Sequence, residues 1–213
     1  MKTALLSRTL FIWLFLLVVS IPVQAADAQQ KTLLIVGDSL SAAYGIDSDA
    51  AWVELLRNRL EDKTPGIWQV ANASISGETT DGGLRRLPDL LEKHDPAIVV
   101  IELGGNDGLR GFPPEVIRNN LASMIKMSQQ QGAEVLLVGI EIPPNYGPRY
   151  TKAFANVYST LAEEYNTAFL PFFLADVYDA EAMMQPDGIH PTAQAQPQLL
   201  DNIWLELLTL LEQ

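Results

Sequence analysis

Short apolar runs recur along the chain and are separated by longer stretches of mixed polarity. They lie at residues 33–36, 68–71, 98–101, 135–138 and 168–170. Runs of this length that lack regular apolar and polar alternation are typical of strands buried on both faces of a sheet. The pattern therefore predicts five short, buried strands.

The segments between and after these runs have a different periodicity. Their apolar residues recur three and four positions apart, which gives each segment one apolar stripe and predicts an amphipathic helix. Buried strands that alternate with such helices form a parallel sheet covered on both faces. We therefore predict a doubly wound, three-layer α/β fold. The predicted helices include residues 52–60, 84–91, 117–125, 154–165 and 200–211.

The loops after the first three predicted strands carry candidate chemistry. Ligands of parallel sheets bind beyond the carboxyl ends of the strands, where these loops meet. The first loop begins Gly37-Asp38-Ser39, the second spans residues 72–79, and the third begins Gly104-Gly105-Asn106-Asp107. Together they bring a hydroxyl group, a glycine N–H and an amide side chain to one edge of the sheet.

Ser39 has two interpretations when its own segment is considered alone. It is either the nucleophile of an acyl-transfer site or an ordinary serine that caps a strand-to-helix turn. A serine nucleophile needs an adjacent base, and the chain has only two histidines. His94 lies near the end of a predicted helix, before Pro96, which is typical of a solvated helix terminus. His190 follows Asp187 by three residues, so the carboxylate can orient the imidazole toward Ser39.

Neutral donors are available for an oxyanion hole. We expect the backbone N–H groups of Ser39 and Gly77 and the side-chain amide of Asn106 to serve this purpose, because fixed neutral dipoles stabilise a developing negative charge. A turn glycine and a turn-capping asparagine are the alternative interpretations.

Apolar residues in the loops near the candidate site form a tentative substrate-binding set. They either line an acyl-chain groove or pack the loops onto the core, and the sequence does not distinguish the two. The set comprises Leu109, Phe112, Pro144 and Tyr146, together with Pro143, Met183 and Met184.

The N-terminus is typical of a cleavable secretory signal peptide. Lys2 and Arg8 precede an uncharged apolar core at residues 10–19. Small residues after this core lead to a cleavage site at or next to Ala25. We predict a signal peptide at residues 1–25, a single mature domain at 26–213, and a periplasmic or secreted location. A retained N-terminal anchor is the alternative. With no cysteine, the mature chain has neither a thiol for lipidation nor a disulfide.

Composition excludes several other functions. The formal net charge is −12, and removal of residues 1–25 deletes two positive charges and no negative one, giving −14. Such a chain is a poor partner for nucleic acid or an anionic membrane. It contains no H-E-x-x-H helix, Walker loop or G-x-G-x-x-G turn, so no metal or other cofactor is implied. We expect a monomer without a stable membrane anchor.

Four sequence motifs of this chain resemble those of the SGNH (GDSL) hydrolases. They occur in the same order as in that family and span the mature chain. The resemblance rests on residues 37–41, Gly77, residues 104–107 and residues 187–190. It implies a flavodoxin-like α/β/α sandwich with five parallel strands in the order 2-1-3-4-5. It also implies Ser39 as nucleophile, His190 as base, Asp187 as its orienting group, and the oxyanion donors named above.

Three further stretches narrow the resemblance. Residues 72–79, 102–112 and 143–150 resemble the periplasmic multifunctional thioesterases, lysophospholipases and arylesterases of Gram-negative bacteria. This implies small acyl substrates: acyl-CoA thioesters, lysophospholipids and aryl esters. An SGNH esterase that removes acetyl groups from carbohydrate is the first alternative. A non-catalytic binding module on the same fold is the second, because fold alone does not determine function.

Overall fold

A computed structural model describes residues 30–212. The predicted signal peptide, residues 1–25, lies outside the described residues. Within the described part, the five predicted strands form one parallel sheet in the order β2-β1-β3-β4-β5. Both the strands and their order are therefore confirmed. The strands are β1 (Lys31–Gly37), β2 (Trp68–Asn72), β3 (Ile98–Glu102), β4 (Glu134–Val138) and β5 (Ala168–Leu170).

Helices follow the strands, as the alternation predicts. Each of the five predicted amphipathic segments forms a helix, and one short additional helix follows β3. The helices are α1 (Trp52–Lys63), α2 (Thr80–His94), α3 (Gly105–Leu109), α4 (Pro114–Gln130), α5 (Pro148–Tyr165) and α6 (Gln196–Leu211).

The two faces of the sheet bury two separate hydrophobic cores. In β1, Leu33 and Ile35 face the core formed with α1 and α6, whereas Leu34 and Val36 face the core formed with α2, α4 and α5. All four side chains are fully buried, and burial of each stabilises the fold by about 1.5–3 kcal/mol. The three-layer α/β/α sandwich is therefore confirmed.

Strand register brings the functional loops to one edge of the sheet. Gly37 pairs with Glu102 at the ends of the adjacent strands β1 and β3. On the other side of β1, the Ile75 N–H donates to the Gly37 carbonyl oxygen at 3.1 Å, so the loop after β2 continues along the loop after β1. The loops after β1, β2 and β3 therefore lie side by side. Between residues 30 and 212, no helix is long and apolar enough to cross a membrane.

Candidate active site

Ser39 lies in a tight turn directly after β1. The Leu40 N–H donates to Asp38 Oδ1 at 3.0 Å, and the Ala42 N–H donates to the Asp38 carbonyl oxygen at 3.0 Å. From the next loop, Asn72 Nδ2 donates to the Ser41 carbonyl oxygen at 2.8 Å. These bonds hold the turn so that the partly buried Ser39 lines a cleft at the sheet edge.

Ser39, His190 and Asp187 form a continuous chain of hydrogen-bonding contacts. Ser39 Oγ lies 2.9 Å from His190 Nε2, and His190 Nδ1 lies 2.7 Å from Asp187 Oδ2. The other oxygen of Asp187 accepts the backbone N–H groups of Ile189 and His190. Led by the His190 side-chain bond, these hydrogen bonds lower the pKa of Asp187 to about 2. The carboxylate is therefore ionised at neutral pH and fixes the imidazole through Nδ1.

Two further residues hold the histidine loop against the serine loop. The Tyr44 ring packs on the His190 ring with centroids 4.3 Å apart and planes 34° apart. Gln185 Nε2 donates to the carbonyl oxygens of Tyr44 and Pro191, both at 2.9 Å, and the Gln185 N–H donates to the His190 carbonyl oxygen at 2.7 Å. Gly45 permits this contact, because a Cβ there would lie 2.5 Å from Gln185 Oε1.

Asn106 lies on α3 and faces Asp38. Asn106 Nδ2 donates to Asp38 Oδ2 at 3.0 Å. A side-chain amide has two N–H groups, so a second donor remains beside Ser39. The next residue, Asp107, fixes α3 by accepting the backbone N–H and the hydroxyl group of Thr80 at 2.9 and 2.6 Å. Asn106 is therefore held by its own bond to Asp38 and by the bonds that Asp107 makes to Thr80.

The other two predicted oxyanion donors occupy different environments. Ser39 lines the cleft, whereas Gly77 lies in an exposed turn before α2 with φ +80°, outside the residues that line the cleft. Arg110 Nη2 donates to the Gly77 carbonyl oxygen at 3.1 Å, which ties this turn to the end of α3. Within residues 30–212, the backbone N–H groups of Ser39 and Gly77 donate to no other protein group.

A cleft of about 530 Å³ begins at Ser39 and His190. Its walls come mainly from apolar residues at the end of α3 and in the loops after β4 and β5, and Glu141 and Asp179 add acidic groups. Of the four tentative substrate-binding residues, Leu109 and Pro144 line it. The other apolar lining residues include Leu40, Ile140, Ile142, Pro143, Phe172, Leu174, Tyr178 and Ile189.

Phe112 and Tyr146 lie outside this cleft. Phe112 packs partly buried against the core beneath α4 and α5, and its carbonyl oxygen accepts the Tyr150 hydroxyl at 2.5 Å. The Tyr146 hydroxyl donates to the Leu109 carbonyl oxygen at 2.7 Å. Met183 and Met184 pack on the core beside α1 and α6. Phe112 and the two methionines therefore pack their loops onto neighbouring apolar surface of the core, which is the alternative interpretation given above.

Sequence reasoning missed Tyr44 and Glu102. Tyr44 has no motif of its own, and its role depends on a contact with a loop about 140 residues away. Glu102 carried a readable signal: it is the one charged residue at the end of the apolar strand 98–102. Its side chain is fully buried below the serine turn, where its Oε2 accepts the Ser41 hydroxyl at 2.7 Å.

The chain is similar to known proteins over most of its length. The GDSL-like lipase/acylhydrolase family matches residues 35–196. The chain is 55% identical over 184 residues to esterase TesA of Pseudomonas aeruginosa, covering 86% of this chain and 91% of that protein. It is 47% identical over 189 residues to thioesterase 1/protease 1/lysophospholipase L1 of Escherichia coli K12, covering 89% of this chain and 87% of that protein.

A solved crystal structure of TesA has the same fold. It superposes with a TM-score of 0.82 at 56% sequence identity, covering 84% of this chain and 99% of the TesA chain. Family match, sequence identity and fold agree over most of the chain, so the chain belongs to the GDSL-like lipase/acylhydrolase family and is an ester hydrolase.

Proposed function

We propose that the chain hydrolyses acyl esters and thioesters through a covalent acyl-enzyme on Ser39. The observation that carries this proposal is the contact chain from Ser39 through His190 to Asp187 at the end of an apolar cleft. A serine hydroxyl group is a weak nucleophile, and an imidazole within hydrogen-bonding distance is the base it needs. We assign Ser39 as nucleophile, His190 as base and Asp187 as the group that orients the base.

The reaction has two stages that share the same proton path. Ser39 Oγ attacks the carbonyl carbon while His190 Nε2 takes the hydroxyl proton. When the tetrahedral intermediate collapses, His190 returns the proton to the leaving alcohol or thiol, and the acyl group stays on Ser39. A water molecule then attacks the acyl-enzyme and loses a proton to His190, which returns it to Ser39 Oγ as the bond between Ser39 and the acyl group breaks and the acid leaves. Asp187 stabilises the imidazolium in both stages through Nδ1.

The oxyanion of each tetrahedral intermediate needs donors beside Ser39. The Asn106 amide and the Ser39 N–H lie at the cleft, and both have a free N–H among the described residues. We propose these two as donors and keep Gly77 as the third, since its N–H is also unpaired. Loss of one such donor typically costs about 2.7–4 kcal/mol in the barrier.

The apolar cleft favours acyl chains as the part of the substrate that the enzyme binds. Its volume of about 530 Å³ and its aliphatic and proline walls suit a medium or long chain. The similar proteins are named as an esterase and as a thioesterase and lysophospholipase. We therefore propose acyl-CoA thioesters, lysophospholipids and aryl esters as substrates, in preference to acetylated carbohydrate.

We also propose that the enzyme is exported. The support is the sequence of residues 1–25, with two basic residues, an apolar core and small residues before the cleavage site. Mass measurement of the protein purified from the periplasm of an expressing bacterium tests this: we expect a chain that begins near Ala26.

Substitution of the proposed nucleophile and base tests the mechanism. We expect Ser39→Ala and His190→Ala each to lower kcat for a p-nitrophenyl ester by about 10³-fold or more, and the double variant to be little worse than either. The reason is that both residues serve one proton path. A fluorophosphonate probe should label the parent at Ser39, and a panel of esters and CoA thioesters of graded length should give the chain-length preference.

Matched controls are present in the chain. Ser159→Ala, on α5, and His94→Ala, at the end of α2, change the same residue types away from the cleft and should leave kcat unchanged. Parental turnover by Ser39→Ala, or a parent that the probe fails to label, would overturn the proposal. Turnover of acetyl-xylan without turnover of lysophospholipid would favour the carbohydrate esterase instead.

A further inference from the structure

A buried carboxyl group lies directly beneath the turn that carries Ser39. Glu102 ends β3, and its side chain is fully buried. One oxygen of this group, Oε2, accepts the Ser41 hydroxyl at 2.7 Å and the Asp38 N–H at 3.3 Å. A single oxygen therefore contacts residues on both sides of Ser39.

Gly37 provides the space for this contact. Gly37 and Glu102 are partners in the register of β1 and β3. A Cβ at Gly37 would lie 2.8 Å from Glu102 Oε2 and 2.9 Å from Ser41 Oγ. Any side chain at this position would push the carboxyl group away from the turn. The absence of a side chain at Gly37 therefore allows the Glu102 carboxyl group to lie beneath the turn that carries Ser39.

A second acid, Asp38, shares this interior with Glu102. Asp38 is 3% exposed, and its two oxygens accept the Leu40 N–H and the Asn106 amide. Two adjacent negative charges in a buried environment repel strongly. Burial, and after it the charge of Asp38, raises the pKa of Glu102 well above its usual range. Ionisation of Glu102 is therefore disfavoured in the folded protein.

The hydrogen bonds of Glu102 converge on one oxygen. Both donors bind Oε2, and within residues 30–212 Oε1 has no partner. Tyr158, on α5, and Asp107, on α3, are the other titratable groups of this interior. The Tyr158 hydroxyl donates to the Leu103 carbonyl oxygen, and the Asp107 carboxylate accepts from Thr80. Neither forms a hydrogen bond with Glu102.

We propose that Glu102 is a positioning residue that supports the turn of residues 38–41 from below and keeps Ser39 within reach of His190. The inference rests on the proposed role of Ser39. Glu102 does not contact the cleft, so it acts through the backbone of Asp38 and the hydroxyl group of Ser41.

Two substitutions at Glu102 separate the carbonyl acceptor from the charge. Glu102→Gln keeps a carbonyl oxygen and no charge, so we expect kcat at neutral pH within about 3-fold of the parent. Glu102→Leu has no acceptor, so kcat should fall about 10-fold or more with KM within about 2-fold. The rate of fluorophosphonate labelling at Ser39 should fall in parallel.

Ser41→Ala provides a second test if Glu102→Leu does not fold. It removes only the 2.7 Å bond, so we expect kcat to fall about 3-fold to 10-fold. Ser74→Ala is the matched control: its hydroxyl oxygen is buried and has no hydrogen-bond partner among the described residues, so kcat should not change.

Three results would overturn the inference. The first is parental kcat in folded Glu102→Leu with only a lower melting temperature, because Glu102 would then be purely structural. The second is a loss in Glu102→Gln as large as in Glu102→Leu, because the charge would then be needed. The third is parental kcat in Ser41→Ala. A parent that the probe does not label at Ser39 would instead defeat the proposed function, so the two failures are distinguishable.

Discussion

Tyr44 packs its aromatic ring beside His190, and its expected effect on activity follows from this packing alone. Tyr44 is half exposed, yet its ring lies 4.3 Å from the imidazole and its carbonyl oxygen accepts Gln185 Nε2. The imidazole is held at Nδ1 by Asp187, and Tyr44 covers one of its faces. Removal of the Tyr44 ring leaves the imidazole free to tilt away from Ser39.

We expect Tyr44→Leu to lower kcat by about 3-fold to 10-fold, because small errors in the position of a base slow proton transfer. Tyr44→Phe keeps the ring, and its kcat should match the parent. The measurement is steady-state hydrolysis of a p-nitrophenyl ester, with circular dichroism to show that both variants are folded. Equal kcat in all three proteins would show that the ring does not position His190.

The residues of the candidate site differ in how far the sequence predicts them. Asp187 and His190 are three residues apart, so their contact follows from local spacing. The chain has only two histidines, and His190 is the one suitably placed to pair with Ser39. Glu102 and Tyr44 act through residues distant in sequence, and no periodicity reports such contacts. Asp38 holds the turn through the Leu40 N–H and also accepts the Asn106 amide.

At the scale of elements, hydrophobic periodicity predicts the long helices and the buried strands. The short helix α3 was not predicted, because five residues contain too little of a 3.6-residue period to register. Its position is nevertheless important, since it carries Asn106. Strand order was beyond the periodicity as well: alternation requires a parallel sheet, whereas the order 2-1-3-4-5 came from the family resemblance.

One contact between elements joins the two helices that cover the same face of the sheet. The N-cap residue of α1, Ala51, has no side-chain acceptor. Gln196, the first residue of α6, supplies it: Gln196 Oε1 accepts the Trp52 N–H at 3.0 Å across 144 positions of the sequence. Both residues are buried, so water cannot replace this bond.

We expect Gln196→Met to lower the free energy of unfolding by about 1–3 kcal/mol, because a buried N–H group loses its acceptor while side-chain length is conserved. Urea denaturation measures this, and kcat of the folded enzyme should stay at the parental value. Gln198→Met is the matched control two residues along α6, where the side chain is only partly buried and bonds to Asn202. An equal loss in both variants would show that α6 is weakened generally and that the bond to Trp52 is not special.

At the scale of the whole molecule, the acidic groups make the stability of the fold depend on pH. Burial raises the pKa of Asp38 to about 6, and burial also raises the pKa of Glu102. Between the unfolded and folded pKa of such a group, the folded state binds more protons, so stability falls as pH rises. The excess of 26 acidic over 14 basic residues adds repulsion in the same direction.

The proposed catalytic aspartate has the opposite sign. Its hydrogen bonds lower the pKa of Asp187 from 3.8 to about 2. The stability that this group contributes is therefore present above about pH 4 and is lost as the pH falls toward 2. Stability should be highest in mild acid, above the titration of Asp187 and below that of the buried pair.

We therefore expect the free energy of unfolding to fall by at least about 1 kcal/mol between about pH 5 and pH 8, since one unit of pKa shift corresponds to about 1.4 kcal/mol. Glu102→Gln has one ionisable group fewer in the interior, so its stability should fall less, whereas Glu92→Gln, an exposed change on α2 that removes the same charge, should follow the parent. Urea denaturation of the three proteins at several pH values measures these slopes. Stability that increases toward pH 8, or a Glu102→Gln slope equal to that of Glu92→Gln, would show that the acids beneath Ser39 do not set the pH dependence of folding.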